Sequence, residues 1–440
     1  MLSKELAKAA RPLAAAHDLD PLMNAIGESR FVLLGEASHG TSEFYTWRAE
    51  LSKRLIAERG FSFVAVEGDW PDCYRINRYV RGIPDSGDSA EEVLHNFDRW
   101  PTWMWANREV VHFCEWMRAW NRTRAPERRV SFYGLDVYSL WDSMRAVTNY
   151  LRRIDPKLAE AARAAYSCFE PFAENVEEYA RATALVPTSC EDEAVAVLRA
   201  LRSRAPSYSE DGREGYFNAE QNALVARNAE LYYRTMVRGG PASWNVRDRH
   251  MFETLNRLMK HHEPGSKSIV WEHNTHIGDA RFTDMLRAGM VNVGQLVREA
   301  HEDEGVMLVG FGTHRGTVIA ADGWGMPMER LMVPPARAGS VEARMHDAGV
   351  GDALFLFDGS EDGGIPGLNQ PLGHRQHADA PVAFYTLDPT ANIDLPPFFA
   401  NQINRHYRAK HHRQGAQQRR AQGRRAVWTD LKQRREQQRQ

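Results

Sequence analysis

Glu36 and His39 stand three residues apart in Gly35-Glu36-Ala37-Ser38-His39-Gly40-Thr41, with Arg48 a short way beyond. A second glutamate, Glu67, closes the apolar run Phe63-Val64-Ala65-Val66, and Asp136 closes Phe132-Tyr133-Gly134-Leu135. Two more histidines, His273 and His276, follow Ile269-Val270-Trp271. An imidazole titrating near pH ~6.5 serves as base or acid around neutrality. A glutamate beside it fixes its tautomer and stabilises the imidazolium. An arginine can hold a carboxylate or stabilise a developing oxyanion. The set therefore suits proton transfer and activation of water. The same two glutamates and three histidines, with Asp136, also suit a divalent metal that activates water, and the residue types do not separate the two chemistries.

These groups act together only if the fold gathers them. Phe31-Val32-Leu33-Leu34 suits a buried parallel strand that Gly35 ends with a turn. Thr41 and Ser42 can each cap a helix starting near Glu43 and carrying Arg48. Phe63 to Gly68 reads as the next strand, with Glu67 at its carboxyl end. Strand, helix and strand form a right-handed unit with both strand ends on one edge. Open α/β sheets bind ligands beyond that edge. Further strands are expected at Val130–Asp136, Ser268–Trp271, Val306–Phe311 and Ala353–Phe357. Their alternation with helices predicts an α/β fold with a mostly parallel sheet flanked by helices. Residues 141–262 carry helical periodicity almost throughout, which predicts a large helical insertion or cap over the strand carboxyl ends.

Within that insertion, Trp244-Asn245-Val246-Arg247-Asp248-Arg249-His250 opens a helix with four charged or titratable groups in succession. Surface ion pairing is the plain alternative there. Trp100, Trp103 and Trp105 read as core anchors or as walls of a pocket. One histidine at a strand end would be structural; three, with two glutamates on the same edge, favour a site over satisfied buried pairs.

Composition bounds the class. The 440 residues are 43% hydrophobic and 26% charged, ordinary for a globular protein. No apolar run of about 18 residues exists, so no membrane partner is expected, and the N-terminus lacks the features of a signal peptide. Cys73, Cys114, Cys168 and Cys190 show no C-x-x-C spacing and read as scattered thiols of a cytoplasmic protein. The net charge of −2 conceals a basic end, since residues 401–440 hold 12 Lys and Arg against 2 acids. The body is mildly acidic, so no nucleic-acid partner is expected for it; the partner of the basic tail is open. Residues 1–400 form the expected catalytic domain, and 401–440 an expected disordered tail. G-x-S-x-G, Walker A, dinucleotide and H-E-x-x-H motifs are all missing.

Gly35-Glu36-Ala37-Ser38-His39-Gly40-Thr41, Glu43-Phe44, Arg48, Val66-Glu67-Gly68 and His273-Asn274-Thr275-His276 together resemble the erythromycin esterase family. The likeness runs from about residue 20 to about 375 and takes in Phe132–Asp136 and Arg247–Met251. It implies an α/β fold with a helical portion over a deep cleft, and hydrolysis of an ester or lactone without a covalent serine intermediate. By this resemblance His39 activates water, and Glu36 and Glu67 support it. Arg48, His273 and His276 then assist or position within the cleft. The implied partner is a small-molecule ester or lactone, a macrolide in the antibiotic-resistance members. No cofactor is implied, while a metal-dependent hydrolase on the same residues and a non-catalytic binding protein stay open as alternatives. After Gly373-His374-Arg375 the chain departs from the family's pattern, and no further strand is expected.

Overall fold

The computed structural model describes residues 2–357, apart from 98, 173–174, 186–188, 204–209 and 324, together with 382–387. The chain enters with β1 (Arg11–Pro12), then β2 (Phe31–Leu34), β3 (Phe63–Asp69), β4 (Ser131–Asp136), β5 (Ser268–Trp271) and β6 (Val306–Thr313). A hairpin of β7 (Gly316–Ala320) and β8 (Glu329–Val333) follows, then β9 (Ala353–Phe357) and β10 (Val382–Leu387). One sheet has the order β1-β9-β10-β6-β2-β5-β3-β4. From β10 to β4 every pairing is parallel; β9 and β1 add an antiparallel edge.

Register explains why the strand ends are level. Phe31 opposes both Ser268 and Val306, and Phe63 opposes Ser268, so β2, β3, β5 and β6 start together. The chain leaves β2 for β3 and β4 on one side, returns to fill β5 between them, then crosses to β6 on the other. A crevice opens at the carboxyl ends where the direction reverses.

The strands are apolar on both faces, as parallel strands covered on both sides must be. Val32, Leu34, Val64, Val66, Ile269 and Trp271 pack under the helices Ser42–Arg59 and Arg108–Asn121. The alternate residues Phe31, Leu33, Phe63, Ala65 and Val270 pack against Met251, Leu255 and Val297 of Ala242–His261 and Val293–His301. Thr41 takes the N-cap position of Ser42–Arg59, but its hydroxyl pairs with Ser38 Oγ at 2.7 Å instead of capping. Ser42 does not cap either; its hydroxyl donates to Glu109.

Between β4 and β5 the described elements are all helical, Leu140–Ile154 to Ala242–His261. Leu140, Val147, Leu151, Leu198 and Leu224 form a hydrophobic core belonging to this insertion. Two expectations need correction. Cys168 and Cys190 are not free thiols but a disulfide across the insertion, their Cα atoms 6.0 Å apart; Cys73 and Cys114 are buried thiols. Spacing carries no information about such a pairing, because the fold brings the cysteines together. The sheet also does not stop at β9: β10 inserts between β9 and β6. β10 falls within the stretch after Arg375, where no further strand is expected; the rest of that stretch and the expected tail at 401–440 lie outside the described residues. No described helix is long and apolar enough to cross a membrane.

Candidate active site

The turn after β2 sets the first group. Glu36 is fully buried, and its two oxygens are used separately. Oε1 lies 2.8 Å from His39 Nδ1, and Oε2 accepts from Arg48 Nη2 at 2.8 Å. Arg48 is itself fully buried, its guanidinium 4.4 Å from the Tyr45 ring centre and 5.0 Å from that of Trp271. Tyr45 donates its hydroxyl to the His39 carbonyl at 2.9 Å. Helix Ser42–Arg59 thus braces the histidine turn from behind, and the His39 side chain keeps a third of its surface exposed. From the other side β7 closes on the turn, Ile319 N donating to Gly40 O at 3.0 Å. A Cβ at position 40 would collide with the Ile319 carbonyl, so only glycine admits this approach.

Burial disfavours a charge on His39, but its hydrogen bond to Glu36 and the nearby Glu67 carboxylate outweigh it, and the pKa rises above 6.5. His273 behaves in the opposite way. Its ring centre is 5.2 Å from that of His39, edge to face. Burial and the neighbouring His39 lower its pKa. The Thr275 backbone N–H donates to its Nδ1 at 3.2 Å, which is possible only if that nitrogen is unprotonated. The neutral ring therefore carries its proton on Nε2.

Glu67 joins this pair to a second group. Its Oε2 accepts from the His273 backbone N at 2.8 Å, and its Oε1 accepts from Arg247 Nη2 at 2.6 Å. Arg247 also forks onto Asp136, Nε to Oδ1 at 2.9 Å and Nη2 to Oδ2 at 2.7 Å. Burial alone would raise the pKa of Glu67 and Asp136; His276 and Arg247 drive Glu67 well below its usual value, and Arg247 lowers Asp136.

His276 lies behind this array, 2% exposed. Asp248 Oδ1 is 2.9 Å from its Nδ1, Arg247 Nη1 is 2.8 Å from its Nε2, and Trp244 stacks flat on its face with centres 4.5 Å apart. Burial opposes a charge on this ring, but Glu67 and Asp248 overcome it and push its pKa up to about 10. The Arg247 contact pulls the other way, since a guanidinium N–H can only donate and faces an unprotonated nitrogen. In this geometry the ring's proton sits on Nδ1, donated to Asp248 Oδ1, and Nε2 accepts from Arg247.

Of the six residues singled out in the sequence, Glu36, His39 and Arg48 form one chain of contacts, and His273 and Glu67 adjoin it. His276 connects only through Glu67 and Arg247 and does not share an open cavity with His273. The turn Asn274–Ile277 sends the two rings apart. Arg247 is the residue that sequence reading undervalued: it opens a charged helix turn, yet is 9% exposed and ties three carboxyl-edge groups together. Trp103 and Trp105 are buried anchors, Trp105 Nε1 donating to the Glu67 carbonyl at 3.1 Å, whereas Trp100 is half-buried and donates to the Met326 carbonyl at 3.0 Å.

The donor set does not fit a metal. Glu36 is spent on His39 and Arg48, and a guanidinium already sits among Glu67, Asp136 and His276. Among the described residues, no three His, Cys, Asp or Glu side chains converge as ligands.

The erythromycin esterase family model matches residues 56–383. The chain belongs to the erythromycin esterase family. That places it among hydrolases. It is 24% identical over 370 residues to erythromycin esterase type II of Escherichia coli, covering 77% of this chain and 83% of that protein. The fold matches a succinoglycan biosynthesis protein solved by crystallography at TM-score 0.68 and 20% identity, over 90% of this chain and 98% of that one. It also matches a mutant of the erythromycin esterase EreC in its open conformation, at TM-score 0.60 and 17% identity, over 89% and 97%.

Proposed function

We propose that this family member cleaves a carboxylic ester or lactone by direct attack of water, with His39 as general base. The observation that carries the reading is the arrangement of His39: Nδ1 on a buried carboxylate, the side chain partly open to solvent. With Glu36 accepting from Nδ1–H, the lone pair stays on Nε2, where it can take a proton from water. The resulting hydroxide adds to the ester carbonyl. The Nε2–H of neutral His273 then donates to the developing oxyanion, as a neutral imidazole can. Collapse breaks the C–O bond, and the proton held by His39 passes to the leaving alkoxide, giving acid and alcohol. Arg48 keeps Glu36 in place, while Glu67, through its bond to the His273 backbone, sets the second ring. No serine takes part: Ser38, the nearest in sequence, pairs with Thr41 and not with His39. The reading uses no cofactor.

Macrolides and simple lactones are the first substrates to screen, by mass spectrometry for a gain of one water. A hydrolysed product supports the reading. Ligand repeatedly recovered intact from a protein that binds it would instead favour sequestration without chemistry.

The raised pKa of His39 has a signed consequence. The base must be neutral, so kcat/KM should decline tenfold per pH unit on the acid side, with its half-point above 6.5. Glu36→Gln removes the anion that holds the proton on, so this limb should move to lower pH as the plateau falls. A pH profile of kcat/KM whose acid limb stays fixed in the variant would remove Glu36 from its role.

A further inference from the structure

The carboxyl edge holds a second arginine that the chemistry above does not use. Arg99 precedes the tryptophan segment and reaches Asp69, two residues beyond Glu67 on β3. Its Nε donates to Asp69 Oδ2, and Asp69 is only 5% exposed. Its guanidinium carbon lies 4.8 Å from the centre of the Tyr138 ring. The Arg247 guanidinium lies at the same distance from that ring, so Tyr138 links the two arginines. The insertion holds Tyr138 in turn: Tyr233 donates its hydroxyl to the Tyr138 carbonyl at 2.9 Å, and Tyr232 contacts the Tyr138 hydroxyl at 3.4 Å.

Arg99 is therefore fixed at its inner nitrogen and along its face, while its side chain stays 37% exposed. Among the described residues, neither Nη1 nor Nη2 has a hydrogen-bond partner. An arginine already ordered in this way offers a planar two-pronged donor without the entropy cost of arranging it. That fork matches the spacing of two oxygens on one carboxylate or phosphate. A structural arginine would have been expected to spend its outer nitrogens on the protein, as Arg247 does.

We propose that Arg99 anchors a subsite for an oxyanion, a carboxylate or phosphate, carried by the substrate. In sheet order, His39 follows β2 and Arg99 stands over the ends of β3 and β4. With strands about 4.8 Å apart, that puts the fork roughly 10–14 Å from the attacking base. The substrate class is thus an elongated ester or lactone with an acidic group at its far end. This assignment rests on the hydrolase reading for what happens at His39, but binding of the anion does not.

The test is calorimetric titration of the full chain with the ten-carbon dicarboxylate sebacate and, separately, with inorganic phosphate. Wild-type protein should bind at least one of them. Arg99→Met should weaken binding tenfold or more, and Arg99→Lys, which keeps the charge and loses the fork, should fall between. Thermal melts establish that each variant is folded, and Arg99→Lys decides the matter if Arg99→Met is not. Failure of both anions to bind wild-type protein, or affinities unchanged by the substitutions, would overturn the subsite. Anion binding through Arg99 in a protein that cleaves no ester would leave the subsite standing and remove the hydrolase reading instead.

Discussion

Replacing His39 with alanine should lower kcat/KM by about 10²–10⁴-fold, or roughly 3–5 kcal/mol of barrier, while leaving the protein folded. Rate and stability separate here because of how the histidine is held. A third of its side-chain surface is exposed, so truncation opens no deep cavity. Glu36 loses one partner but keeps Arg48 at 2.8 Å, so no buried carboxylate is left without a cation. His39→Asn is the sharper control, since an amide retains hydrogen bonding to Glu36 and cannot accept the proton. Steady-state kinetics beside thermal unfolding would settle it. A folded alanine variant turning over at near-native rate would exclude His39 as the base.

Arg247→Met should act mainly on stability, lowering it by about 3–5 kcal/mol at neutral pH. The guanidinium bonds Glu67 and Asp136 together, and removing it leaves two carboxylates buried side by side. In the wild type both acids have lowered pKa values, so their contribution is complete above the usual values of 4.5 and 3.8. It is lost as pH falls through the lower folded values. Without Arg247, burial and mutual repulsion would raise both, and protonation would then relieve the strain. The stability gap between variant and wild type should accordingly shrink toward about pH 4–5. Urea unfolding at several pH values measures this, and a gap that stays constant with pH would show that Arg247 acts through packing alone.

The sheet was legible because parallel strands buried on both faces are written as unbroken apolar runs, with an acid where β2, β3 and β4 meet the crevice. Glu36, His39 and Glu67 could be found in that way. Arg247 could not be ranked, because the partners that distinguish it from a surface ion pair lie 180 and 111 residues away. His276 illustrates the same difficulty: a spacing of three allows convergence, but the short helix after His273 turns the second ring inward against Trp244 and Asp248. β10 escaped notice because its place between β9 and β6 depends on a chain reversal that no local pattern announces.

The position of Arg247 also limits how the protein can breathe. It lies on Ala242–His261, the last helix before the sheet resumes, whereas its acidic partners lie on β3 and β4. Lifting that helix would strand two anions, so any widening that admits a bulky guest must leave it seated. The helix just upstream is tied to the same post: Asn228 Nδ2 lies 2.8 Å from His250 Nδ1, Gln221 donates to Thr254 Oγ1 at 2.8 Å, and Trp70 on the sheet side donates to Asn218 at 2.9 Å. The two helices therefore stay seated as one beam, joined by a turn in which Gly239 and Gly240 have positive φ, 69° and 76°.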